Sequence, residues 1–179
     1  MFYVSEIKTT APEVFETPLR KMVYEMLCRL HIPYERVDTD EAITMEDCVE
    51  IDRKLQMKMV KTLFLTNRQQ TEFRLFITAG DKPFRAKDFA AAAKVSRQSF
   101  APAEYMESML GTKIGAATVF SVLLPSAENV RVVIDRDVAR EEWYGCSDGI
   151  TTGYMKIRTD DILTGFLPAA GHKAEVIEV

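Results

Sequence analysis

The 179-residue sequence predicts a mixed α+β fold, because apolar residues recur at helical spacing in some stretches and alternate in others. Helix pairs, a hairpin and single strands interleave without the strict strand–helix–strand alternation of a doubly wound sheet. With 47% apolar and 28% charged residues, the chain can fill one packed core and lacks the composition of a disordered segment. No internal repeat, low-complexity run or Pro/Ser-rich linker divides it. One domain is therefore expected over residues 17–179, preceded by a loose N-terminal arm over 1–16.

Thr17-Pro18 supplies a capping oxygen and a first-turn proline. Leu19, Met22, Val23, Met26, Leu27 and Leu30 then follow at helical spacing, predicting a helix that ends near His31. Residues 32–37 read as a short strand. Thr44, with Glu46 and Asp47 behind it, predicts the capped start of a helix running to about Met57. Met59 to Thr66 and Glu72 to Ala79 are β-rich runs around a polar turn, which is a hairpin. The alanine run at 90–93 predicts a helix over 86–94, and 101–110 another, stopped by Gly111. Thr118 to Leu124 reads as a buried strand, Asn129 to Ile134 and Met155 to Arg158 as further strands. Thr159-Asp160-Asp161 caps a last helix to about Leu167, and Val176-Ile177 offers a closing strand.

Charge is distributed unevenly. Residues 1–52 carry 5 basic and 12 acidic side chains, residues 53–97 carry 11 and 3, and residues 98–179 carry 7 and 12. The basic middle third is either one phosphate-binding face or a set of scattered surface cations. The N-terminal residues lack a secretory pattern, and no apolar run reaches the ~18 residues of a membrane span, so a cytoplasmic protein that makes no membrane contact is expected.

Cys28, Cys48 and Cys146 have no C-x2-C spacing, and His31 and His172 cannot build a multi-histidine centre; neither a metal nor a cofactor is expected. Gly111 and Gly115 match neither a P-loop nor a dinucleotide fingerprint, and no nucleophile elbow exists. Asp135 with Asp137 and Asp160 with Asp161 read as turn and helix-cap residues. His172 reads as a helix C-terminal cap. Lys61 opens an otherwise apolar strand, with Leu63 on its side and Val60, Thr62 and Phe64 on the other. It is either a snorkelling edge residue or a cation at a cavity mouth.

Several short elements, taken in order, resemble the YbaK/prolyl-tRNA synthetase-associated editing domain family, in its free-standing prolyl-tRNA editing branch. They are Ile32 to Val37, Thr44 to Cys48, Lys61 to Leu65, Gly80 to Phe84, Ser96-Arg97 with Ser99 to Ala101, Gly111 to Gly115, Val130 to Asp135, and Gly171-His172. The resemblance implies a barrel-like mixed β-sheet with flanking helices. It also implies hydrolysis in trans of a mischarged aminoacyl-tRNA, above all alanine on the proline tRNA. Lys61 would be the functional residue, holding a phosphate or ribose of the terminal adenosine, and Gly115 would meet the amino acid through its backbone. Thr62, Gly111, Ala116, Thr118, Ser147 and Thr151 complete the implied substrate-binding set. The implied partners are the acceptor 3′ end of tRNA and a prolyl-tRNA synthetase.

The sequence departs from that pattern. Relatives have Lys-Asn at Lys61-Thr62, Cys-His-Pro at Cys146-Ser147-Asp148, Asn-Thr at Thr151-Thr152, Gly-Ser-Val-Ser at Gly115 to Thr118, and a glycine at Ser121. These losses bear on amino-acid choice and rate, and leave two alternatives: a catalytically weak module binding tRNA or amino acids, and a regulatory domain for small amino-acid metabolites.

Overall fold

In the computed structural model, which describes residues 1–42 and 44–179, the Thr17 side chain accepts a hydrogen bond from the Arg20 N–H. Pro18 fills the first turn and helix α1 runs Pro18–Arg29, burying Leu19, Val23 and Leu27. After strand β1 (Tyr34–Asp38), the predicted helix at Thr44 is delayed. Thr44 and Asp47 exchange side-chain-to-backbone hydrogen bonds of 3.0 and 3.3 Å around a turn, and regular helix α2 spans only Val49–Leu55. The hairpin of β2 (Val60–Thr66) and β3 (Phe73–Ala79) forms as expected, followed by α3 (Ala86–Ala93) and the short strand β4 (Ser99–Phe100).

Helix α4 (Ala103–Tyr105) continues as a π-helical turn, Met106–Leu110, and stops at left-handed Gly111 (φ 65°). The predicted strand over 118–124 is instead a 3₁₀ helix, Val119–Leu123, whose first turn is capped by the Thr118 hydroxyl. The run is mostly buried, its polar Thr118 and Ser121 included, and its half-buried Leu123 and Leu124 are apolar, so it carries no polar solvent face to betray its period and pattern alone cannot tell a short helix from a strand. A second 3₁₀ turn covers Pro125–Ala127. β5 (Arg131–Asp135) leads into α5 (Arg136–Ala139), capped by Asp135. β6 (Trp143–Ser147) has no counterpart in the predicted elements; β7 (Gly153–Arg158) follows it. A π-helical stretch, Asp161–Phe166, continues as α6 (Leu167–Ala169) before the closing strand β8 (Ala174–Ile177).

The strands form two sheets, β1-β7-β6 and β4-β2-β3-β5-β8, with β3, β5 and β8 parallel to their neighbours across β5 and the remaining pairs antiparallel. Among the described residues the sheets do not close into a barrel, and the backbone bridge joining them is the parallel one from Met59 to Gly145. There the backbone approach requires glycine, since a Cβ on residue 145 would stand 2.5 Å from Met57 Sδ and 3.1 Å from the Lys58 carbonyl. The main core, including Leu27, Phe64, Phe120, Tyr144 and Phe166, fills the space between sheets and helices. Residues of the expected loose arm lie along the free edge of β1: Val4 bridges Thr39, Lys8 bridges Arg36, and Arg36 Nε donates to the Thr10 carbonyl at 2.6 Å.

Candidate functional site

The outer edge of β2 has two different neighbours. At its start Met59 bridges to β6, and at its end Leu65 and Thr66 pair with β4, while the Ala101 N–H donates to the Phe64 carbonyl at 2.9 Å. Between these two contacts the edge has no strand partner among the described residues, and a cavity of about 410 Å³ opens there. Because backbone groups alternate along a strand, the peptide groups of Val60 and Thr62 face the same side as that of Phe64, toward the opening. The cavity wraps around a sheet edge, which is why all five consecutive residues Val60 to Phe64 line it despite alternating faces.

Lys61 stands at the rim of this wall. Its Nζ donates to the Lys82 carbonyl in the turn after β3. Partial burial pulls its ammonium below the ordinary lysine range, and nearby Asp81 opposes the shift. Thr62, on the opposite face, lies against the Tyr144 hydroxyl, which is fully buried without a well-formed hydrogen bond among the described residues.

The facing wall comes from the other sheet and is held from behind by charge. Ser147, at the end of β6, lines the cavity, and Asp148 follows it at 0% exposure. The Asp148 carboxylate accepts Arg20 Nε at 2.9 Å and the Tyr24 hydroxyl at 2.5 Å, both from α1. Burial pushes this carboxyl above the usual range, opposed chiefly by Arg20 and Tyr24. Arg20 also binds Glu16 at 2.7 Å and lies 3.6 Å from Asp38. The Ser147 hydroxyl is committed within the β6–β7 turn, donating to the Ile150 carbonyl at 2.8 Å and accepting from the Gly149 N–H at 3.0 Å. Thr118 ties the preceding loop to this wall, its hydroxyl donating to the Ser147 carbonyl at 2.8 Å.

The structure thus brings Lys61, Thr62, Gly115 and Ser147 to one cavity. Gly115 lies in its loop at φ 91°, a conformation other residues rarely adopt. Gly111, Ala116, Thr118 and Thr151 do not line it. Gly111 ends a helix, Ala116 and Thr118 are buried behind the loop, and Thr151 donates to Glu41 at 3.2 Å. Residues the sequence reading missed are Cys48, Phe100, Met106, Ile114 and Tyr154. Cys48, Phe100 and Ile114 lie inside motif elements whose other residues drew the reading, and Tyr154 stands one residue before the predicted strand, its hydroxyl donating to the Ala42 and Thr151 carbonyls.

Among the described residues the lining contains no histidine or carboxylate, and Lys61 is its one cation. Cys48 is the one lining thiol. Burial, reinforced by Asp52 and Asp47, pushes it up to about 11, so it is a protonated wall residue and a poor nucleophile at neutral pH. His172 lies elsewhere, its imidazole against the Val130 and Val122 backbone and its titration lowered by burial. Among the described residues no group of three or more His, Cys, Asp or Glu side chains could hold a metal, and no helix is long and apolar enough to cross a membrane.

Comparison with known proteins places this geometry in context. A prolyl-tRNA editing protein, ProX, from Acetoanaerobium sticklandii is 26% identical over 160 residues, covering 89% of this chain and 97% of its own. Two solved structures share the fold. One is a hypothetical protein, APE2540 (TM-score 0.66, 16% identity, 87% of this chain and 97% of that one). The other is a proposed trans-editing enzyme for prolyl-tRNA synthetase (TM-score 0.66, 13% identity, 92% and 99%). The model of the aminoacyl-tRNA editing domain matches residues 39–164, a span that holds the β2 edge, the glycine loop and the Ser147 wall. The chain belongs to the aminoacyl-tRNA editing domain family.

Proposed function

We propose that residues 17–179 act as one editing domain that hydrolyses mischarged aminoacyl-tRNA in trans, with alanyl-tRNA for proline as the main substrate, in the cytoplasm and alongside a prolyl-tRNA synthetase. The observation that carries this reading is the shared cavity: a rim ammonium (Lys61), an open strand edge and a glycine loop (Gly115) around about 410 Å³. That volume lies within the ~300–1,000 Å³ of small-ligand sites.

In this reading Lys61 fixes a phosphate or ribose oxygen of the terminal adenosine by a charge-assisted contact. The peptide groups of Thr62 and Gly115 orient the aminoacyl group, and water attacks the ester carbonyl. The bond broken is the one from the carbonyl carbon to the ribose oxygen, and that oxygen leaves with a proton as the ribose hydroxyl. Positioning and electrostatic stabilisation carry the rate, in keeping with a lining that pairs no nucleophile with a base. Purified protein incubated with alanyl-tRNA for proline should release alanine, and Lys61→Ala should not. Equal release by both would reject the assignment of Lys61, and no release by wild type would reject hydrolysis.

One observation favours a second reading, a binding module with weak catalysis: the Ser147 hydroxyl is spent inside its own turn rather than on the cavity. Ser147→His combined with Thr62→Asn should then raise alanine release from near zero. A fast wild type removes this reading.

A further inference from the structure

The turn and helix between β3 and β4 carry features that the cavity itself does not use. Phe100 lines the cavity mouth and is 61% exposed. A lone exposed phenylalanine is unremarkable on any protein surface. This one is buttressed: its ring lies 5.5 Å from Phe84, which in turn lies 6.1 Å from both Phe76 and Phe89, two residues buried at 1% and 0%. The aromatic chain runs from the core to solvent and ends in a fixed, open ring face beside the opening. Phe84 is also two residues from Lys82, whose carbonyl holds the Lys61 ammonium, so the platform and the rim cation share one support.

Because the Phe84 and Phe100 rings meet, the chain between them forms a closed excursion that returns to Phe100 at the cavity. It carries Arg85, Lys87, Lys94 and Arg97, all exposed, against one acidic residue, Asp88. Among the described residues none of these four cations makes an ion pair. Five other basic residues of the middle third, Arg53, Lys54, Lys58, Arg74 and Lys82, are instead tied to carboxylates. Unpaired cations beside an exposed, supported aromatic ring are the combination that binds single-stranded nucleic acid, with stacking for bases and charge for phosphates.

We infer that Phe100 is a stacking platform for an unpaired base preceding the terminal adenosine of the tRNA, and that Arg85, Lys87, Lys94 and Arg97 carry the adjoining backbone phosphates. The inference rests on the reading that the cavity takes a charged 3′ end, and adds to it how the RNA strand is led in.

The test uses fluorescence anisotropy with two uncharged RNA hairpins of the acceptor stem, one ending in the single-stranded 3′ ACCA and one blunt. Phe100→Ala should weaken binding of the overhanging hairpin about 5- to 150-fold, the range expected for one lost base stack, and leave the blunt hairpin unchanged. Phe100→Trp should retain binding. Lys94→Ala with Arg97→Ala should weaken both hairpins and reduce the slope of log affinity against log salt by about 2. Unchanged affinity in Phe100→Ala, equal loss on both hairpins, or no wild-type binding to either RNA overturns the inference. Deacylation separates it from the underlying reading. Alanine release that needs Lys61 but is indifferent to Phe100 sinks the platform alone. Overhang-dependent binding without any alanine release keeps the platform and sinks hydrolysis.

Discussion

The two walls of the cavity are built on opposite principles. The β2 wall is an ordinary hairpin strand whose outer edge is open beside the cavity, and its one cation among the described lining residues is Lys61. The facing wall, Ser147 and the turn to β7, is secured from behind by a buried cluster, with Asp148, Arg20 and Tyr24 exposed 0%, 2% and 3%. Substitutions should therefore separate. On the first wall chemistry and stability come apart, whereas on the second they fall together.

The largest effect is expected from Arg20→Ala, which strands the Asp148 carboxylate in the interior. Breaking such a pair costs about 3–5 kcal/mol, read as a lower denaturant midpoint, and alanine release should fall with it. A loss below about 1 kcal/mol would show that the cluster does not hold the wall. Next comes Gly153→Ala. Its Cβ would lie 2.5 Å from an Asp148 carboxylate oxygen and 2.8 Å from Arg20 Nη2, so about 1–3 kcal/mol of overpacking is expected in the same measurement.

A smaller effect of opposite sign is expected at Asp52, which anchors α2 to the start of β2 by accepting the Met59 N–H at 3.0 Å. Burial pushes its carboxyl up to about 6 from 3.8. The folded state holds the proton more tightly, so this group's contribution to stability is present below about pH 4 and is lost as pH rises toward 6. Asp52→Asn keeps the acceptor oxygen and removes the loss. It should be more stable than wild type at pH 7 by about 1 kcal/mol, a two-unit shift discounted for partial exposure, with the difference vanishing near pH 4. A constant difference across that range would assign the effect to something other than ionisation. The smallest change in stability belongs to Lys61→Ala, within about 0.5 kcal/mol, because the lost hydrogen bond is offset by relief of a half-buried charge. Alanine release should nevertheless disappear. A strongly destabilised Lys61→Ala would erase the contrast between the walls.

The same contrast explains what could be read without coordinates. The first wall is local: alternation over Val60 to Thr66 announces the strand, and a lysine inside it is conspicuous. The Thr17-Pro18 cap and the Ala90–Ala93 helix were legible for the same reason. The second wall depends on partners more than a hundred residues apart, Arg20 and Tyr24 with Asp148, and no periodicity links them. β6 escaped detection because Gly145 and Ser147 interrupt its apolar pattern, and the glycine reflects packing against Met57 rather than a turn. Phe100 and Ile114 are isolated apolar residues in sequence and become neighbours of the cavity only once β4 and the glycine loop are in place.

The open edge of β2 has an evolutionary consequence. Peptide N–H and C=O groups are identical whatever side chains a strand carries, so hydrogen bonds offered by Val60 and Thr62 survive replacements that would abolish a side-chain contact. Any ligand read through that main-chain edge would thus tolerate side-chain exchange along β2 better than one read through a side chain alone.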